Sequence, residues 1–239
     1  MTDSALLERA AGCYLRSGLP GEAARCLREA GAYRRSAELW AEMGQFKEAA
    51  NDYARAGLAD VAVWLLVHDA GDTAGARRMS TAPPLRISDF GQEILSFHFW
   101  PQMTDVPDPE RDPIAEQEAR DSSLRMRLAL ARCDVMDGRP DQEPLAALDA
   151  AARFLTFRDL VYDRLVEEWA VATAESMKRY DQVALLFAAA VRGRRSGAAQ
   201  RWRQWAARVL NSEITLPDPA PSGSVPGNRL RSVRPPRQG

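Results

Sequence analysis

Two histidines, His68 and His98, are the only side chains of this 239-residue chain whose ordinary pKa lies near neutrality. General acid–base chemistry would run through one of them or through a perturbed carboxylate or thiol. His68 precedes Asp69 in a stretch of helical period and reads as a helix residue whose hydrogen bonds are met; His98, between Phe97 and Phe99, reads as packing. The cysteines, Cys13, Cys26 and Cys133, are odd in number and form no CxxC pair or zinc-type cluster, which fits a reducing compartment. Cys13 and Cys26 stand in matching positions thirteen residues apart, as small core residues or, if adjacent, as a redox pair. Glu167 and Glu168 fall on a helix surface with no convergent partner. The chain holds no GxxxxGK[ST] phosphate loop, GxSxG elbow or HExxH, and no glycine-rich loop after a strand. We therefore expect no catalytic residue, no cofactor and no metal, and read the chain as a non-enzyme.

Charge is the remaining chemical signal. "RGRRSGAAQRWRQW" sets Arg192, Arg194, Arg195, Arg201 and Arg203 among Trp202 and Trp205, a composition able to hold phosphates and stack bases. On the competing reading, both tryptophans share one helix face with Ala206 and Val209 and are buried, leaving the arginines as a solvated flank. Residues 182–239 carry ten arginines against Glu213 and Asp218, a balance of +8, which leaves −9 on residues 1–181 of a chain whose net charge is −1. The whole-molecule field thus favours neither nucleic acid nor a membrane surface. The polarity instead allows the basic end to touch the acidic block of its own chain or of a second copy, by self-association. Only Lys47 and Lys178 are lysines among 32 basic residues, a bias that fits a GC-rich bacterial genome.

The elements that would position these groups follow from glycine spacing. Gly18, Gly31, Gly44 and Gly57 recur every thirteen residues, and Gly71 follows. Four residues before each stand Tyr14, Leu27, Trp40, Tyr53 and Val67; seven before stand Ala11, Ala24, Ala37, Ala50 and Trp64. A large and a small residue three positions apart share a helix face, so each unit is one short helix shaped for close approach by a neighbour. Glycine ends it because it takes positive φ without a Cβ clash. A helix of about nine residues is marginal alone in water, so the units must stack.

In "GQFKEAANDYARA", Gly44, Phe46, Ala49, Tyr53 and Ala56 match the glycine, aromatic, alanine, aromatic and alanine of the tetratricopeptide second helix, and Ala23, Leu27 and Ala30 repeat part of it. The unit is shorter than half of the 34-residue repeat. Over roughly Leu6 to Met79 the chain resembles the short-unit, tetratricopeptide-related solenoids of the SNAP adaptor family. The resemblance implies an all-α fold, a right-handed α-solenoid of stacked antiparallel helices. As function it implies a non-catalytic adaptor or scaffold that holds a protein partner in a groove; it does not imply which partner. The alternative is an accessory nucleic-acid or anion binder acting through the five arginines.

Residues 1–79 are thus expected to be the short-unit repeats. Residues 80–113 read as a proline- and aromatic-rich connector, with a short helix capped at Asp89 and Gln92, carrying Ile94, Leu95, Phe97, Phe99 and Trp100, and ended by Pro101. Within it, "DFG" at Asp89–Gly91 resembles the protein-kinase metal-binding triplet, but no HRD accompanies it and we read it as coincidence. Residues 114–213 read as a second helical block. Its expected helices are Ile114–Met136, Leu145–Thr156, Asp159–Lys178, a degenerate tetratricopeptide-like helix with Tyr180, Val183, Phe187 and Ala190, and a capping helix Ala198–Leu210. Residues 214–239 read as a disordered basic tail. The N-terminus lacks a secretory pattern and no apolar run approaches the roughly 20 residues that span a bilayer, so a cytoplasmic protein off the membrane is expected.

Overall fold

The computed structural model describes residues 3–81, 113–156 and 164–211, and every regular element among them is a helix. They are α1 (Asp3–Arg16), α2 (Pro20–Glu29), α3 (Tyr33–Glu42), α4 (Phe46–Arg55), α5 (Ala59–His68), α6 (Thr73–Thr81), α7 (Pro113–Met136), α8 (Gln142–Thr156), α9 (Arg164–Ser176), α10 (Tyr180–Arg192) and α11 (Ala198–Leu210). The expected connector helix around Asp89–Pro101 and the tail 214–239 lie outside the described residues. No described helix is long and apolar enough to cross a membrane.

The corners between the short helices are one motif reused. Gly18, Gly31, Gly44 and Gly57 have φ between 72° and 79°. At each, the following residue donates its N–H to the carbonyl of the large residue four before the glycine: Leu19 to Tyr14, Ala32 to Leu27, Gln45 to Trp40 and Leu58 to Tyr53, at 2.8–2.9 Å. This is the 6→1 bond of a Schellman cap. The same four residues accept the first bond of the next helix, from Ala23, Ser36, Ala49 and Ala62. One residue therefore closes one helix and opens the next, which is why the period is so short. At Gly71 (φ 65°) the corner is one residue longer, with Asp72 donating to Leu66. Trp64 and Val67 consequently stand one position out of register with the alanine and large-residue columns.

Two later corners carry the same bonds without glycine. Lys178 and Arg194 both have φ 57°, with Arg179 donating to Ala174 and Arg195 to Ala190. A side chain in this left-handed region costs about 1 kcal/mol relative to glycine. Lys178→Gly should therefore stabilise the protein by about 1 kcal/mol. Gly44→Ala, where a Cβ would meet nothing within 4 Å, should destabilise it by a similar amount through φ alone. Urea denaturation midpoints of the two variants, shifted in opposite directions, are the check.

Alanines then set the packing. Ala11, Ala23, Ala24, Ala37, Ala49 and Ala50 are all at most 1% exposed, so helix backbones approach closely through them. Consecutive helices α1 to α6 pack in order, and ion pairs reach across the alternate ones: Glu8 to Arg35 from α1 to α3, and Arg28 to Glu48 from α2 to α4. Odd and even helices thus form two layers.

Helix α5 packs on α4, α6 and α7, which explains its near-continuous apolar run; Ala62, Val63, Trp64, Leu66 and Val67 are all buried. Arg125 of α7 meets Asp60 of α5 at 2.5 Å, and Arg77 of α6 meets Asp134 and Asp137 at the end of α7 at 2.7 and 2.8 Å. Trp64 of α5 stacks on Trp169 of α9, rings 4.5 Å apart and 3° from parallel. Helices α7 to α10 pack among themselves around Leu128, Leu148, Leu155, Val166, Val183 and Leu186, all fully buried. The chain divides into two compact units, residues 1–195 and 196–239, and α11 is the described helix of the second.

Candidate functional site

The five arginines singled out by composition do not have one environment. Arg192 and Arg194 are exposed at the end of α10. Arg195 is not on a solvated flank: it is 8% exposed, its guanidinium lies 5.4 Å from the Phe154 ring centroid, and Nη2 donates to the Phe154 carbonyl at 3.3 Å. It anchors the end of α10 to the end of α8. Arg201 and Arg203 belong to the second unit, where Arg201 Nη1 donates to the Ser196 carbonyl at 2.7 Å and Arg203 is exposed. Trp202 and Trp205 are each 4% exposed, with ring centroids 5.4 Å apart, so neither offers an open face for base stacking.

Glu167 is likewise not on a surface. It is 2% exposed within α9, whereas its neighbour Glu168 faces solvent and pairs with Arg164 at 2.8 Å. Sequence periodicity could not separate the two because the buried face of this helix is broad, taking in Val166, Trp169, Ala170, Val171 and Thr173, and Glu167 falls inside it while Glu168 falls outside. His68 stacks on Trp64, rings 4.9 Å apart; desolvation lowers its pKa against the opposing influence of Asp69. The ring lies stacked against the helix surface and stays exposed to solvent. His98 lies outside the described residues.

The three thiols are free. Cys26 packs at the edge of the core cluster of Ala11, Ala23 and Leu27, but Cys13 is exposed on α1 rather than part of the core. Cys133 is fully buried, and desolvation pushes its pKa up to about 11. Because the thiolate is the reactive form, Cys133 at pH 8 should hold about one thiolate per thousand molecules. We expect an aromatic disulfide reagent to titrate Cys13 first in the native protein, Cys26 more slowly, and Cys133 only on unfolding. Mass spectrometry of partly labelled protein reads this order directly.

The polar cluster that sequence reasoning missed lies inside the repeats. Asp52 on α4 is fully buried; Arg28 Nε of α2 lies 2.8 and 2.9 Å from its two oxygens, and Ser36 Oγ of α3 lies 2.7 Å from Oδ2. Ser36 Oγ also stands 2.8 Å from the Ala24 carbonyl, and Arg28 Nη2 donates to Glu48 at 2.8 Å. Burial works against the Arg28 charge, but the bonds to Glu48 and Asp52 outweigh it, so its pKa lies above the ordinary value. The guanidinium also sits 5.5 Å from the Trp40 ring centroid. These groups mostly satisfy one another, an arrangement that holds helices rather than a reacting molecule.

The outward surfaces of the repeats carry Arg16, Glu29, Glu42, Arg55 and His68, thirteen residues apart and all exposed. Among the described residues no group of three or more His, Cys, Asp or Glu side chains could hold a metal ion. Protein-family models, curated proteins and solved structures all gave no match to this chain.

Proposed function

We propose that this chain is a non-catalytic helical-repeat adaptor, a right-handed solenoid whose stacked helices hold a segment of a partner protein. The observation that supports the reading is the two-layer array of α1 to α5. Three-residue corners set the helices side by side, so that side chains twenty-six residues apart, on alternate helices, line up in rows along each layer. Such rows fit an extended or helical segment, read by short polar contacts and shape. The −9 balance of residues 1–181 favours a basic or amphipathic one.

The test uses the tagged full chain, a form ending at Glu213, and a full chain with Glu29→Lys and Glu42→Lys, which reverses one exposed acid on each layer, each purified from the native host with and without nuclease. One protein retained by the first two forms, resistant to nuclease and lost from the charge-reversed form, is the expected result. The exposed pair Arg192 and Arg194 supports a second reading, binding of nucleic acid. Nuclease-sensitive recovery abolished by Arg192→Glu and Arg194→Glu would replace the first reading with that one.

A further inference from the structure

Thirteen-residue steps through the buried polar cluster expose its singularity. The position of Arg28 is held in the other units by Leu15, Ala41, Ala54 and Val67, and that of Ser36 by Ala10, Ala23, Ala49 and Ala62. The position of Asp52 is held by Cys13, Cys26, Leu39 and Leu65. Each column is apolar or thiol except at one residue. The three exceptions come from three different helices and meet at one point, where Asp52 is fully buried and Arg28 has only 27% of its side chain exposed.

The surroundings explain why a polar group would be useful there. The facing surfaces of α2, α3 and α4 set Ala23, Ala24, Ala37, Ala49 and Ala50, all fully buried, around the larger Leu27 and Trp40. Methyl groups form shallow ridges, so these alanine contacts discriminate weakly between the observed position and a small shift or rotation within the freedom that the three-residue corners leave. Hydrogen bonds and ion pairs discriminate strongly, because their geometry is narrow and a buried group left unpaired is heavily penalised. A slide or rotation of any one of the three helices removes a partner from Asp52.

We propose that Arg28, Ser36 and Asp52 form a register lock, a polar key that selects one mutual position of α2, α3 and α4 in a stack whose alanine faces do not select it. The lock contributes uniqueness rather than net stability, since desolvating the ion pair offsets most of its attraction.

The test compares two full-length variants with the natural chain. Asp52→Leu takes from Arg28 its buried carboxylate partner, leaving Glu48, and should lower the urea midpoint by about 1 to 2 M. The triple variant Arg28→Leu, Ser36→Ala, Asp52→Leu carries residues already present in the same columns at Leu15, Ala23 and Leu39. It should recover the natural midpoint or exceed it. Its α2 to α4 amides should split into more than one set of NMR signals and exchange at least tenfold faster, with α8 to α10 unchanged. A triple variant showing a single set of signals and natural exchange rates would overturn the proposal. So would a triple variant no more stable than Asp52→Leu, or unfolded, which would make the cluster a stability element. An Asp52→Leu chain as stable as the natural one would equally show that the trio exerts no hold.

Discussion

Replacing Gly193 by alanine is expected to destabilise the protein by about 3 kcal/mol or more, the upper range for forcing an atom into a packed interior. Gly193 closes α10 with φ −70°, a conformation any residue adopts, so backbone strain is not the reason. The reason is space. A Cβ at this position would overlap the Leu155 carbonyl oxygen and stand 3.1 Å from its carbon, and these atoms belong to the backbone of α8. A flexible side chain would swing aside, whereas a helix backbone moves only with its neighbours. The same end of α8 is also tied to the chain just beyond Gly193, by Arg195 on Phe154. Gly21→Ala is the internal control: it lies within α2, has open space around it, and should stabilise by about 0.5 to 1 kcal/mol. Thermal and urea unfolding of the two variants should therefore move in opposite directions.

Trp64→Ala is expected to remove about 3 to 5 kcal/mol, the usual range for truncating a large buried aromatic. Trp64 is 7% exposed and stands between the His68 ring on its own helix and Trp169 on α9, so its loss opens a cavity where the repeats meet the second block. Trp169→Ala, at a residue 5% exposed, should have an effect of the same order. The two should not add. Direct stacking of the rings contributes about 0.5 to 1.5 kcal/mol beyond area burial, and a double-mutant cycle should return a coupling of that size. Zero coupling would mean that the rings merely share a core.

The corners at Gly18, Gly31, Gly44 and Gly57, the short helices α2 to α5 and the buried Ala11, Ala24, Ala37 and Ala50 were legible in the sequence because each depends on local chemistry. Positive φ calls for glycine, and residues three or four apart share a face whatever lies opposite. The helices Pro113–Met136 and Gln142–Thr156 were legible for the same reason, within a few residues of the expected Ile114 and Leu145 starts. Lys178 and Arg194 escaped notice as corners because the surrounding structure overrides their preference against left-handed backbone.

What only the tertiary structure decided is which polar groups leave solvent. Glu167 and Arg195 carry the same charges as neighbours on the surface, and no period in the sequence distinguishes them; the thirteen-residue period puts Asp52 in an apolar column but does not name its partners. Their burial follows from helices distant in the chain, α2 and α3 around Asp52 and α8 beside Arg195. Gly193 belongs with them, since the carbonyl that excludes a side chain there lies 38 residues earlier, at Leu155. Local sequence specified the glycine-ended helices because backbone conformation and side-chain period are properties of a few consecutive residues. The partners of a buried charge are set by packing between segments far apart in the chain, and that information exists only once the helices have met.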